Sequence, residues 1–186
     1  MSDRFEVRLA GTGGQGMILA GIILAEAAAL GADKNVVQSQ SYGPEARGGA
    51  SKAEVIISDA QIDYPKVLQA DLLLAMSQEA CDKYGRDVKP EGWLIVDESE
   101  VKRVPPHPCI IRVPITQIAE EQIGRTITAN IIGLGVIVGL TGIVPHQAII
   151  QAVQNRVPPG TKDINMRALK AGLNMFQDTR REQYGC

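Results

Sequence analysis

A glycine turn held between a strand and a helix constrains this chain more than any other feature. Phe5 to Ala10 (FEVRLA) reads as a short strand, and Gly11-Thr12-Gly13-Gly14-Gln15-Gly16 as a turn. Met17 to Leu30 reads as a helix that is apolar on nearly every face and is therefore expected to be buried. Gly31 is placed to end it, and Val36 to Gln40 follows as a second strand. Strand, turn, helix and strand make one βαβ unit. Further strands are expected at Lys52–Ser58, Leu72–Met76, Trp93–Val96 and Cys109–Val113, with Ser77 as the N-cap of a helix. From Thr116 onward the pattern is helical, and Met166, Leu169, Leu173 and Phe176 fall on one stripe. The expected fold is α/β: a three-layer α/β/α single domain with a Rossmann-like, mostly parallel sheet. The domain spans 1–177, and the polar tail 178–186 is expected to fray.

Gly11, Gly13 and Gly16 satisfy G-x-G-x-x-G after a strand and before a helix. Glycine lets the backbone approach a phosphate, and the helix start offers unpaired N–H groups at a positive dipole end. An anion site is the expectation. A dinucleotide would also need a carboxylate at the end of the second strand, where this chain has Gln38-Ser39-Gln40. Nicotinamide dinucleotide binding is therefore disfavoured. The plainer alternative is that the glycines serve helix–sheet packing and that Gln15 is an exposed turn residue.

A second loop, Ser41 to Gly49 (SYGPEARGG), sets Tyr42, Glu45 and Arg47 among glycines and a proline. Arg47 can fork onto a carboxylate or phosphate, and Tyr42 can stack or donate a hydrogen bond. The loop follows the second strand, and the glycine turn follows the first. Both are expected at the carboxyl edge of the sheet, where open α/β sheets bind ligands. Against this stands a solvated tip with an Arg47–Glu45 pair.

The remaining residues exclude more than they suggest. Lys and Arg number 19 against 21 Asp and Glu, so no basic excess points to nucleic acid. Cys81, Cys109 and Cys186 are far apart, with no C-x-x-C for a metal or cluster. They read as free thiols of a reducing, cytoplasmic compartment. Ile131 to Val144 is almost wholly apolar, yet shorter than a membrane span and interrupted by four glycines, so it reads as a buried helix. In it, Gly135 and Gly139 permit close helix packing, within the domain or across a subunit contact. His107 and His146 lack triad partners, and Asp97 and Glu98 follow a strand as catalytic carboxylates or ordinary turn residues do.

GTGGQG at 11–16, QSYGPEARGG at 40–49, DYPKV at 63–67, AMSQEACDKYG at 75–85, LIVDE at 94–98 and TANIIGLGVIVGLTG at 128–142 together resemble the gamma subunits of 2-oxoacid:ferredoxin oxidoreductases. The SYGPEARGG and AMSQEA forms look most like the branch acting on 2-oxoglutarate, 2-ketoisovalerate and pyruvate, 2-oxoglutarate above all. The resemblance implies oxidative decarboxylation of a 2-oxoacid with coenzyme A to acyl-CoA, carbon dioxide and reduced ferredoxin. It implies alpha, beta and delta partner subunits, with thiamine diphosphate between alpha and beta and iron–sulfur clusters in beta or delta. Carried over, Gly11, Gly13, Gly14, Gln15 and Gly16 with Tyr42, Glu45 and Arg47 are the surfaces that meet coenzyme A, thiamine diphosphate or a partner subunit. No catalytic residue and no metal ligand is expected here. The isolated chain is expected to be inactive and to pair as a homodimer, contacting neither nucleic acid nor membrane. The alternatives are a purely structural assembly subunit and a free-standing nucleotide-binding protein.

Overall fold

Strand β1 (Arg4–Thr12) alternates Phe5, Val7 and Leu9 towards one face with Glu6, Arg8 and Ala10 towards the other, and all six are buried. A strand buried on both faces lies in the middle of its sheet. The computed structural model describes residues 4–41 and 50–176, and in it β1 is flanked on both sides. Helix α1 (Met17–Gly31) follows, then β2 (Asn35–Gln40), β3 (Ala50–Ser58), β4 (Ala70–Ala75), α2 (Gln78–Tyr84), β5 (Val88–Asp97) and β6 (Ile110–Val113). The rest is helical: α3 (Ile115–Ile118), α4 (Ala129–Thr141), α5 (His146–Arg156) and α6 (Lys162–Asn174).

The sheet order is β2-β3-β1-β4-β5-β6. β1, β4, β5 and β6 run parallel, while β3 is antiparallel to both β1 and β2. The expected βαβ unit is therefore corrected: β1 and β2 point the same way but are not neighbours. β2 ends at Gln40 and β3 begins at Ala50 at the same edge of the sheet, so β3 returns antiparallel to β2. It then pairs with β1 along its whole length, from Arg4 opposite Ser58 to Thr12 opposite Ala50.

One face of the sheet carries the larger core, in which α1, α4, α5 and α6 pack on Val7, Leu9, Val55, Leu72, Leu74 and Ile95. The other face is covered by α2 and the chain after β5, through Ala80, Cys81, Tyr84 and Val101. This is the three-layer arrangement, with one thin outer layer. Ser77 caps α2 as expected, its hydroxyl accepting from Ala80 N–H at 3.2 Å.

Two expectations about helices need adjusting, and a third holds. Helix α1 is buried along Met17, Ala20, Gly21, Ile23, Leu24, Ala27 and Ala28 only, and Leu30 at its end is 80% exposed. Gly31 is not its stop signal. Asp33, at φ 52°, takes the left-handed turn, while a Cβ on Gly31 would stand 2.1 Å from Ala148 Cβ. Glycine is there because α1 and α5 touch. Helix α4 is buried as expected, and Gly135 serves packing inside the domain: a Cβ there would meet Leu169 O of α6 at 2.4 Å. Among the described residues no helix is long and apolar enough to cross a membrane.

Candidate functional site

The carboxyl ends of β1 and β4 carry the glycine turn. Gly11 and Thr12 still belong to β1, and the turn proper closes with Gln15 N–H donating to Thr12 O at 3.2 Å. Gly14 has φ 94° and Gly16 φ 75°, a conformation open to glycine at little cost. Gln15 is not an exposed turn residue. Its Oε1 accepts from Thr12 N–H at 2.8 Å and its Nε2 donates to Met76 O at 3.0 Å, tying the turn to the end of β4. Gly11 makes room for it, since a Cβ there would meet Gln15 Oε1 at 2.3 Å. Gly16 is the N-cap of α1 and offers no side chain to the helix start, so the opening N–H groups lack intrahelical acceptors.

Beside this turn lies a cleft of about 530 Å³. Gly14 and Gly16 form one wall, Arg125, Thr128 and Asn130 another, and Thr161 and Asp163 a third. Leu19, Ile127, Val157 and Ile164 give it an apolar lining, and Ile127 is 77% exposed. The N-caps of α1, α4 and α6 are Gly16, Thr128 and Thr161, and all three line this cleft. None of the three N-cap side chains bonds its own helix start, and in the first turn of α4 Asn130 Oδ1 accepts from Ile131 N–H. The polar caps are spent elsewhere: Thr128 Oγ1 donates to Arg125 O at 2.8 Å and Thr161 Oγ1 to Pro158 O at 2.9 Å. The start of α1 at Gly16 presents N–H groups and a positive dipole end beside this space, with Arg125 in the lining and Asp163 as its one carboxylate. Helices α4 and α6 continue from the 3-10 turns Thr126–Thr128 and Pro159–Thr161, so their first N–H groups are not free there: Ala129 N–H donates to Thr126 O, Lys162 N–H to Pro159 O and Ile131 N–H to Asn130 Oδ1. Such a space suits an anionic group attached to an apolar body.

Tyr42, Glu45 and Arg47 lie outside the described residues. Their anchors do not: Ser41 N–H donates to Lys52 O at 3.2 Å, and Ala50 pairs with Thr12. Ser41 and Ala50 thus lie at the edge that bears the glycine turn. Sequence reasoning missed Arg125, Thr128, Asn130 and Thr161, which stand more than a hundred residues from the turn. The TAN triplet at 128–130 was the only trace of Thr128 and Asn130, and Arg125 and Thr161 left none.

The other chemical candidates have structural partners. Asp97 is fully buried and accepts from Thr116 N–H at 3.0 Å, Thr116 Oγ1 at 2.5 Å and Ser99 N–H at 3.1 Å. His107 bridges Cys109 and Lys89 O through its two ring nitrogens. Cys81 is a buried free thiol; burial and then Asp82 push its pKa up, against a lowering by Arg112, which leaves it a packing residue. Cys109 is disulfide-bonded, so the reading of three free thiols does not hold for it.

Residues 6–175 match the family described as pyruvate ferredoxin/flavodoxin oxidoreductase. The chain is 48% identical over 178 residues to the 2-oxoglutarate synthase subunit KorC of Methanocaldococcus jannaschii, covering 94% of this chain and 95% of that one. Among solved structures, it is similar to the gamma subunit of a keto/oxoacid ferredoxin oxidoreductase from Geobacter sulfurreducens, with 49% identity, a TM-score of 0.85 and coverage of 92% of this chain and 95% of that one. The pyruvate oxidoreductase subunit PORC of Thermotoga maritima matches at 30% identity and a TM-score of 0.74, over 93% and 97% of the two chains. A family match over this length, joined to the same fold and a glycine turn at the carboxyl edge, makes the chain a member of the pyruvate ferredoxin/flavodoxin oxidoreductase family.

Proposed function

We propose that this chain is the gamma subunit of a 2-oxoacid:ferredoxin oxidoreductase that acts on 2-oxoglutarate, and that its cleft and glycine turn receive coenzyme A. The observation that supports the ligand reading is the uncapped start of α1 at Gly16 on the wall of an apolar cleft that Arg125 also lines. Coenzyme A pairs phosphates with a long, largely apolar arm, and this cleft pairs N–H groups and a guanidinium with Leu19, Ile127 and Ile164. In this reading Tyr42, Glu45 and Arg47 also meet coenzyme A. Arg47 supplies a second guanidinium for a phosphate. The substrate reading is supported by 48% identity to a 2-oxoglutarate synthase subunit against 30% to a pyruvate oxidoreductase subunit.

In this reading the alpha and beta subunits hold thiamine diphosphate, which supplies the decarboxylation chemistry when bound, and iron–sulfur clusters lie in beta or delta parts. This chain binds and orients coenzyme A beside that centre. It contributes no residue to bond breaking.

The test is the assembled complex, produced with its alpha and beta subunits and assayed for coenzyme A-dependent ferredoxin reduction. Turnover is expected with 2-oxoglutarate well above pyruvate. Arg47→Ala and Arg125→Ala should each raise the apparent coenzyme A constant, by roughly ten- to hundredfold if the charged contact is direct. The constant for 2-oxoglutarate should stay unchanged. Coenzyme A constants equal to wild type in both variants, with the complex intact, would leave this subunit a purely structural one.

A further inference from the structure

Asn130 is a buried polar residue on an apolar helix, 4% exposed, and its two side-chain atoms do different work. Oδ1 accepts from the N–H of its own neighbour Ile131 at 2.9 Å, a bond within the start of α4. Nδ2 donates to Gly16 O at 3.2 Å, across 114 residues of sequence. The same Gly16 carbonyl accepts the first intrahelical bond of α1, from Ala20 N–H at 3.0 Å. Gly16 in turn is shaped to receive this amide: a Cβ there would stand 2.4 Å from Asn130 Nδ2, and its φ of 75° is one that a substituted residue rarely adopts.

Bonded through that carbonyl, the peptide at the N-cap of α1 has a fixed orientation. The direction of the N–H groups that follow is set by that peptide, because the first helical turn is built on it. Gln15 holds the other end of the turn to β4 through Met76 O. The turn is thus clamped at Gln15 by the sheet and at Gly16 by α4, and Gly14 and Gly16 line the cleft.

We infer that Asn130 is a positioning residue for the ligand site, which orients the N-cap peptide of α1 through Gly16 O so that the opening N–H groups of α1 point into the cleft. This rests on the coenzyme A reading of the cleft. Its rival is that Asn130 only closes the first turn of α4 through Oδ1.

Asn130→Asp separates the two. A carboxylate keeps the acceptor for Ile131 N–H and suits a helix start, but has no N–H for Gly16 O. Asn130→Ala removes both bonds without adding charge. In the assembled complex, both variants are expected to raise the apparent coenzyme A constant, by about three- to tenfold for the alanine, with kcat and the 2-oxoglutarate constant within twofold of wild type. In the full-length chain alone, hydrogen exchange should speed up at Ala20 in Asn130→Asp while the amides of α4 stay protected. Asn130→Asp matching wild type in coenzyme A constant and in exchange at Ala20, while Asn130→Ala melts early, would overturn the inference in favour of simple helix closure. Arg125→Ala, run alongside, reads the site itself. If it raises the coenzyme A constant and the Asn130 variants do not, the cleft stands and the role of Asn130 falls. If Arg125→Ala, Arg47→Ala and the Asn130 variants all change nothing, both fall together.

Discussion

Arg8 sits in the middle of a central strand, where a charge needs every partner it can find. Its side chain is 4% exposed. Nε donates to Glu54 Oε1 at 2.8 Å, directly across the β1–β3 ladder, and Nη2 to Val67 O at 2.9 Å. Its guanidinium lies 5.2 Å from the centre of the Tyr84 ring. Only Nη1 has no hydrogen bond, at 3.6 Å from Asp87. Lys52 reaches the same Glu54 oxygen at 2.8 Å and keeps contact with water. Removing one member of such a buried pair strands the other, so Glu54→Ala is expected to cost about 3–5 kcal/mol in chemical denaturation. Arg8→Met with Glu54→Leu should recover most of that loss, because neither member of the pair is then left buried without the other and Lys52 keeps its contact with water. A double variant as unstable as Glu54→Ala would show that the pair itself is strongly stabilising. Glu26 gives a milder case with a defined pH dependence. Burial raises its carboxyl pKa, but hydrogen bonds from Asn155 and Arg156 of α5 outweigh this, and the pKa ends below its ordinary value. A carboxylate with a depressed folded pKa stabilises the fold above its unfolded pKa and loses that contribution as pH falls through the folded one. Glu26→Gln should therefore cost about 1 kcal/mol at pH 7 and far less near pH 3, read from denaturant midpoints.

At the scale of elements, the contact between α4 and α6 decides where the cleft can form, because Thr128 and Thr161 are the N-caps of these two helices. The helices meet glycine on glycine. A Cβ on Gly172 would stand 2.2 Å from Ile132 O and 2.8 Å from Val136 N, and one on Gly135 would stand 2.4 Å from Leu169 O. These are backbone atoms, which no rotamer change can move aside. Alanine normally stabilises a helix relative to glycine by about 0.5–1 kcal/mol. Here the sign should reverse: Gly172→Ala is expected to destabilise by about 1–3 kcal/mol, measured by thermal or urea unfolding. A variant of unchanged or higher stability would mean that the helices can separate at no cost. The G-x-x-x-G pattern was plain in the sequence. Its partner Gly172 was not, because a stripe of small residues does not name the helix it faces.

For the whole molecule, the proposal makes this chain one part of a divided enzyme. Purified alone, it is expected to reduce no acceptor with any 2-oxoacid and coenzyme A. Activity should appear on adding the alpha and beta subunits. Turnover by the lone chain, or an iron–sulfur absorbance band in its spectrum, would contradict that division of labour.

The strands and helices could be read from the sequence because each depends on residues a few positions apart. The run Leu72 to Ala75, the hydroxyl of Ser77 and the apolar stretch of α4 carry their conformation with them. The glycine spacing at 11–16 also placed a tight turn between a strand and a helix, since positive φ at Gly14 and Gly16 is a local demand. Tertiary structure decided the rest. Residues between Gly31 and Asn35 do not reveal that β3 will lie between β1 and β2, because strand order follows from backbone hydrogen bonds between distant segments. Nothing near Gln15 announces Met76 O as its partner, and nothing near Gly16 announces Asn130. The cleft exists only because α1, α4 and α6 start at the same place. That meeting is set by packing through Gly135 and Gly172 and through Gly21 against Ala53, contacts that come into being only when the chain has folded.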